Sequence, residues 1–174
     1  MKEFIISVFS ENKTGLITRI VSVFTRRHIN IESLTTSKSS IKEIHRFTIV
    51  VKLEEEQVRK LVAQIEKQVD VIKAFYYHPE EVIYQEIALY KIPTVAFAHG
   101  DKIEQLIRSH NARILTIEPE YIVVEKTGHA EETEALLKEF EQIGIYEFVR
   151  SGRIAIVKPM EQLNTYLKTL EEMN

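Results

Sequence analysis

The chain has 174 residues, of which 44% are apolar and 28% charged, and its formal net charge is -3. This length suits one ordinary domain or two small ones, and the charge lacks the basic excess that is typical of a nucleic-acid-binding protein. Cysteine is absent, which excludes disulfides and thiolate chemistry; with no signal-peptide or transmembrane pattern, we expect a soluble cytoplasmic protein without membrane contact.

The first half of the chain alternates strand and helix patterns in the order βαββαβ. Apolar residues at helical spacing predict one helix that ends near His28 and a second that follows the acidic run at 54–56 and includes Val69. Clusters of branched and aromatic residues, partly alternating with polar ones, predict strands over residues 4–9, 29–36, 45–53 and 71–77.

A short polar segment, His78-Pro79-Glu80-Glu81, interrupts this pattern, and the same order of elements then begins again. The spacing predicts helices over 101–110 and from the acidic segment AEETE through Phe140, and a short tail helix after Pro159. Strands are predicted over residues 82–92, 113–117, 121–125, 145–149 and 153–157.

The repeated order predicts an α+β fold of two tandem ferredoxin-like βαββαβ domains with antiparallel sheets. The N-terminal domain covers residues 1–78 and the C-terminal domain 82–158, with the tail helix over 159–174. Strands such as FIISVF carry apolar residues on both faces, although helices cover only one face of such a sheet. We therefore expect a homodimer in which sheets or helices associate.

Motifs for catalysis and for metal binding are missing from the sequence. The six histidines form no HxxxH pair, and His99-Gly100-Asp101, the nearest candidate for a metal site, is equally explained as a capped loop. There is no GxSxG, no phosphate-binding glycine loop and no ribonucleoprotein signature, and the paired acids fall on predicted first turns of helices. We expect no catalytic residue, no metal site and no nucleic-acid partner.

The segment SENKTGLITRI at residues 10–20 allows two interpretations. In the simpler one, Asn12 or Thr14 caps the helix that follows. In the other, Gly15 lets a ligand approach, and the N–H groups of Gly15, Leu16 and Ile17 hold a carboxylate at the positive helix end. Asn30, between two isoleucines, would need a partner if its amide were buried, and a neighbouring backbone or a ligand could supply it.

These segments resemble the regulatory small subunits of acetolactate synthase (acetohydroxyacid synthase). ENKTGLI at 11–17 is similar to the ENxxGxL/I segment of that family, and RRHINIESL at 26–34 is similar to its RRG-aromatic-NIESL segment. Weaker similarities occur in HRFTI at 45–49, VDVIK at 69–73, EIALYKI at 86–92 and FVRSG at 148–152. Two residues differ from the family pattern: His28 replaces a glycine, and Ile29 replaces an aromatic residue.

The resemblance implies an ACT domain at the N-terminus, an ACT-like domain after it, and no catalytic site. It implies that the chain binds the large catalytic subunit, which carries thiamine diphosphate, Mg and FAD, while this chain itself binds no cofactor. It also implies activation of that subunit and feedback inhibition by a branched-chain amino acid, with valine as the expected effector. Carried over by position, the effector site at an interface between N-terminal domains comprises the following residues: Asn12, Gly15, Leu16, Ile17, Asn30 and Ile31.

Two other hypotheses remain open at this point. The chain could be a free-standing ACT-type amino-acid sensor that regulates a different enzyme, although the NIESL segment favours the synthase subunit. It could also be an enzyme with an unrecognised site, because ferredoxin-like folds host many functions.

Overall fold

The structure is a computed structural model that describes residues 1–95 and 102–158. The predicted tail helix and the candidate loop His99-Gly100-Asp101 lie outside the described residues.

The N-terminal unit is a four-stranded antiparallel sheet with the strand order β2-β3-β1-β4. Both helices pack on one face, where residues of alternating position along β1 and β3 are buried against them. The elements are β1 (Lys2–Glu11), α1 (Leu16–Thr25), β2 (Ser33–Lys38), β3 (Ile44–Leu53), α2 (Glu55–Ile65) and β4 (Val71–Tyr77).

The core of the N-terminal unit follows from two patterns in the sequence: the alternation of apolar residues along β3 and the helical spacing of apolar residues in α1 and α2. Phe47, Ile49, Val51 and Leu53 share the inner face of β3, as the alternation predicts, and all four are buried. Each such side chain contributes about 1.5–3 kcal/mol by leaving water. At the start of α2, the Glu54 N–H donates to Gln57 Oε1 at 3.0 Å, which is one half of a capping box.

The C-terminal unit repeats the arrangement, with the strand order β6-β7-β5-β8 and a fifth strand, β9, paired with the first part of β5. The predicted α+β fold of tandem ferredoxin-like units is confirmed, and the strand predicted over 153–157 is β9, which adds a fifth strand to the C-terminal unit. A 3-10 helix over Pro79–Glu81 leads into these elements: β5 (Val82–Pro93), α3 (Lys102–Ser109), β6 (Arg113–Ile117), β7 (Tyr121–Gly128), α4 (Ala130–Ile143), β8 (Glu147–Arg150) and β9 (Ile154–Val157).

Two predicted boundaries in the N-terminal unit are wrong. The second strand begins at Ser33, so residues 29–32 precede it. The reason is that α1 ends in a Schellman-type turn: the N–H groups of His28 and Ile29 donate to the carbonyls of Thr25 and Phe24. Likewise α2 ends at Ile65, and Val69, which was predicted on its apolar face, is 72% exposed in a turn before β4.

The strand β5 connects the two units because its two halves pack on different partners. Its second half carries Tyr90, whose ring packs against Phe140 and whose hydroxyl donates to the Thr133 carbonyl at 2.7 Å. Its first half carries Val82, which is buried with Ile5 and Val50 on the outer face of the first sheet. The apolar outer face that seemed to need another subunit is therefore partly covered by β5 and β9 of the same chain.

A buried arginine lies at this junction between the units. The guanidinium of Arg153 contacts Glu3 of the N-terminal unit at 2.6 Å and Glu86 of the C-terminal unit at 3.2 Å, and it lies 3.9 Å from the centre of the Tyr84 ring. Burial alone would lower the pKa of Arg153, but its hydrogen bond to Glu3 and the further bond to Glu86 outweigh that effect and raise it. The charge is therefore compensated on both sides of the junction.

Gly152 allows the close approach that this contact requires. A Cβ atom at Gly152 would lie 2.4 Å from Thr35 Oγ1 and 3.0 Å from the backbone oxygen of Leu34, and the neighbouring Arg153 N–H donates to Ser33 Oγ at 2.9 Å. The segment after β8 thus packs against β2 at a distance that only glycine permits.

We expect Gly152→Ala to lower the free energy of unfolding by about 2 kcal/mol, because the new methyl group overpacks a contact against backbone. Urea unfolding of the full chain measures this. Gly128→Ala is the matched control, because the atom that its Cβ would approach is the movable carboxylate of Glu132 at 2.8 Å. An equal decrease in the free energy of unfolding in Gly152→Ala and Gly128→Ala would show that the Gly152 contact has no special role.

Candidate functional site

The segment at residues 10–20 joins the end of β1 to the start of α1. Gly15 is the N-cap residue, with φ 83° and ψ -2° in the left-handed region. A Cβ atom at Gly15 would meet nothing within 4 Å, so the conformation of the backbone, and not packing, favours glycine here. The space next to the backbone is open.

The first turn of α1 has no side-chain cap. The interpretation in which Asn12 or Thr14 caps the helix is wrong, because the N-cap is Gly15 and no side chain bonds to the turn. Leu16 N–H donates weakly to the Lys13 carbonyl at 3.4 Å, whereas Ile17 N–H has no acceptor among the described residues, as is usual in a first turn. The helix start therefore keeps donors for an anion.

The four predicted residues of this loop differ in what they can offer a ligand. Asn12, Gly15 and Ile17 are exposed, and Ile17 is 46% exposed despite its apolar side chain. Leu16 is 3% exposed because its side chain lies in the core of the N-terminal unit, so only its backbone can face a ligand.

Backbone hydrogen bonds hold the loop to two neighbouring segments. Glu11 N–H donates to the Asp70 carbonyl at 2.9 Å, and Asn12 N–H donates to the Glu43 carbonyl at 3.2 Å. Asp70 also receives Lys13 Nζ at 2.8 Å on one carboxylate oxygen and Arg19 at 2.8 Å on the other. The loop is thus fixed before a ligand arrives.

Asp70 was not predicted to support this site. It lies 57 positions from Lys13 in the chain, and its φ of 75° turns the chain into β4. Its side chain is only 8% exposed. The hydrogen bond from Lys13 holds the pKa of Asp70 below its ordinary value, against the effect of burial, and the same bond raises the pKa of Lys13. Asp70 therefore remains ionised and pairs with Lys13 of the loop and Arg19 of α1.

The other predicted site residues, Asn30 and Ile31, precede β2 and do not belong to a facing strand. Asn30 is exposed, and its amide donates to Glu32 Oε1 at 3.0 Å, so it is not a buried amide in need of a partner. Ile31 is half-buried against the core. His28, where the resembling family has glycine, adopts φ 53°, which explains the usual preference for glycine at this position.

The structure places the two predicted groups at opposite ends of α1. The helix has 10 residues between Gly15 and the turn at His28. At 1.5 Å per residue, its two ends are about 15 Å apart, which is longer than a small amino acid. One chain therefore cannot bring Asn12 and Asn30 to the same ligand; a shared site needs one end of α1 from each of two copies.

The described residues contain neither a metal-binding cluster nor a membrane-spanning helix. Across 1–95 and 102–158, no three histidine, aspartate or glutamate side chains converge as ligands. Within the same ranges, no helix is long and apolar enough to cross a bilayer.

Two family models match the chain, one for each unit. Residues 6–73 match a model described as an AHAS small subunit-like ACT domain. Residues 85–159 match a model described as the small subunit of acetolactate synthase.

Related proteins are similar over nearly the whole chain. The acetolactate synthase small subunit of Mycobacterium bovis is 32% identical over 164 residues, which cover 94% of this chain and 97% of that protein. The small subunit of Bacillus subtilis is 32% identical over 167 residues, 95% of this chain and 96% of that protein. The crystal structure of the small subunit from Thermotoga maritima has a TM-score of 0.83 at 26% identity, covering 92% of this chain and 100% of that one.

We expect Asp70→Asn to reduce stability at neutral pH, because it removes the charge that pairs Lys13 and Arg19, while asparagine tolerates the left-handed backbone. Since the pKa of Asp70 is lowered by folding, its contribution is present above the unfolded value of about 3.9 and is lost as pH falls through the folded value.

Unfolding curves from pH 7 to pH 2 measure this difference. The curves of wild type and Asp70→Asn should converge in acid, whereas Glu141→Gln, at an exposed position, should follow wild type throughout. A constant gap between wild type and Asp70→Asn across this range would contradict the role of the carboxylate.

Proposed function

Since the chain belongs to the family of acetolactate synthase small subunits, we propose that it binds the large catalytic subunit of an acetolactate synthase and raises its activity. The observation that carries the proposal is the match of both units, over 6–73 and 85–159, to models of this family. In this proposal the chain regulates the enzyme, and the catalytic subunit binds thiamine diphosphate, Mg and FAD. Both subunits are located in the cytoplasm.

We further propose that a branched-chain amino acid, valine above all, binds at the start of α1 and inhibits the complex. The free donors of the first turn, next to the open space at Gly15, suit the carboxylate of such an effector. Asn12 and Asn30 are exposed and can hydrogen-bond the charged groups, and Ile17 and Ile31 supply apolar contacts.

A homodimer of N-terminal units would complete this site. Asn12 and Asn30 lie at opposite ends of α1, and this distance is greater than the length of a small amino acid. The two residues therefore reach one ligand only if a second copy of the chain supplies one of them. A two-fold symmetric pair would then have two equivalent sites. An effector at the interface changes activity only by binding one arrangement of the two copies more tightly than another.

We expect the purified chain to co-elute with the large acetolactate synthase subunit of the same cell and to increase its turnover. Size-exclusion chromatography and an acetolactate assay measure these two properties. If the large subunit neither bound nor responded while the chain still bound valine, a free-standing amino-acid sensor would replace the synthase subunit as its function.

We expect Gly15→Asp to abolish inhibition by valine while the chain still folds and activates its partner. The new carboxylate would oppose that of the effector, and the added Cβ meets open space. Gly15→Asn is the matched control, because both residues tolerate positive φ and differ mainly in charge. Valine inhibition that is unchanged in Gly15→Asp, or equally lost in both variants, would exclude the charge effect at this loop.

We expect Asn30→Ala to weaken valine binding by about tenfold, the loss of one hydrogen bond to a charged group. Isothermal titration of the full chain measures the affinity. Asn30→Ala also removes the hydrogen bond that the Asn30 amide donates to Glu32. Glu32→Ala removes that bond but keeps the Asn30 amide, so a comparison of the two variants isolates the contact between Asn30 and valine. An affinity in Asn30→Ala that equals wild type would remove Asn30 from the site.

A further inference from the structure

A cleft lies between the two units, on the face of the first sheet that the helices do not cover. Its volume is about 390 Å³, and its lining is mostly apolar. One side is formed by β2 and β3, and the other by the paired first part of β5 and strand β9. Ile83, Ile154 and Ile156 at the second side are each more than half exposed, so the cleft opens to solvent. We call it the interdomain cleft.

Arg46 is the cation of the interdomain cleft. It lies opposite Ser37 in the β2–β3 register, next to the Thr35–Thr48 pair. Its guanidinium donates one hydrogen bond, at 3.1 Å to Ser7 Oγ, and lies 5.4 Å from the centre of the Phe9 ring. Within the described chain it makes no ion pair, and its Nε atom is buried without a hydrogen-bond partner. A guanidinium has five donors, so most of its capacity is unused.

The lack of a counter-charge at Arg46 contrasts with the other buried cation on this side of the sheet. Arg153 contacts both Glu3 and Glu86 at the junction of the units. Burial lowers the pKa of Arg46, and the effect is opposed in part by the charge interaction with Tyr77 but by no carboxylate. A partly buried cation without a carboxylate is costly unless an anion pairs with it.

The rest of the lining defines which anion would fit. Thr35, Ser37 and Thr48 line the same side as Arg46, although Thr35 Oγ1 is itself buried against Gly152. Among the described residues of the lining there is no aspartate or glutamate that could pair with an ammonium group. The opposite side supplies three isoleucines and Ala155, which suit an aliphatic chain, together with Tyr84 and Gln85.

We propose that the interdomain cleft binds a small aliphatic 2-oxo or 2-hydroxy carboxylate, in which the carboxylate pairs with Arg46 and the neighbouring oxygen contacts the hydroxyls of Ser37 and Thr48. An amino acid of the same carbon skeleton is disfavoured because the lining offers its ammonium group no carboxylate partner.

This cleft is separate from the proposed effector site at the start of α1. Phe47, next to Arg46 in β3, points to the face on which α1 packs, so Arg46 points to the opposite face. The two sites therefore differ in position and in the chemistry that they select: backbone donors and amides at α1, and a guanidinium with hydroxyls in the cleft.

The test uses 3-methyl-2-oxobutanoate and valine, which share a carbon skeleton, in isothermal titrations of the full chain. We expect the oxo acid to bind wild type and Gly15→Asp alike, to bind in the presence of saturating valine, and to lose at least about tenfold in affinity in Arg46→Gln. Valine affinity should be the same in Arg46→Gln as in wild type.

A second pair of variants addresses the possibility that Arg46→Gln disturbs folding. Ile156 is 59% exposed and lines the cleft, so Ile156→Asp places a carboxylate there at a tolerant position, and Ile156→Asn has the same shape without the charge. We expect weaker binding of the oxo acid in Ile156→Asp than in Ile156→Asn. Absence of binding to wild type, full competition by valine, or equal affinity in the two Ile156 variants would each overturn the proposal. None of these results would affect the proposed binding of the catalytic subunit.

Discussion

The buried contact of Arg153 with Glu3 and Glu86 is the interaction on which the arrangement of the two units depends. The three residues come from the first strand of each unit and from the segment before β9, so one charge cluster joins residues up to 150 positions apart. Such a cluster adds little net stability compared with apolar packing, but separating its members would leave a charge buried and unpaired. It therefore selects one arrangement of the units. The adjacent contact of Gly152 with β2 restricts the distance between β2 and the segment after β8.

The apolar outer face of the first sheet explains why this arrangement is needed. Ile5 and Val50 are completely or almost completely buried although no helix packs on their side of the sheet. Val82 and Ala155 cover them, which is possible because β5 is long enough to pair with β9 before it enters its own sheet. The strands β5 and β9 cover this face only in part. The interdomain cleft, which contains Arg46, lies beside the covered region.

Local periodicity in the sequence predicted which elements form, because alternation in β3 and helical spacing in α1 are properties of neighbouring residues. It could not predict contacts that depend on the fold. The pairing of Lys13 with Asp70, and that of Arg153 with Glu3, join residues 57 and 150 positions apart. The start of the strand after α1 was also misplaced, because the left-handed turn at His28 uses a residue that carries no glycine signal. The candidate site residues came from a family resemblance, and the loop around Gly15 alone was compatible with an ordinary helix cap.

The N-terminal sheet connects the two proposed ligand sites physically. The loop at Gly15 is bonded to the backbone of Asp70, at the edge of β4, and to Glu43, just before β3. Arg46 follows three residues later, on the face turned towards the C-terminal unit. A ligand that shifted the loop would therefore act on the same segment that carries the cation of the cleft. Coupling between the two sites requires that the segment has two arrangements and that each ligand favours one of them; if so, the effect of each ligand on the affinity of the other must be equal.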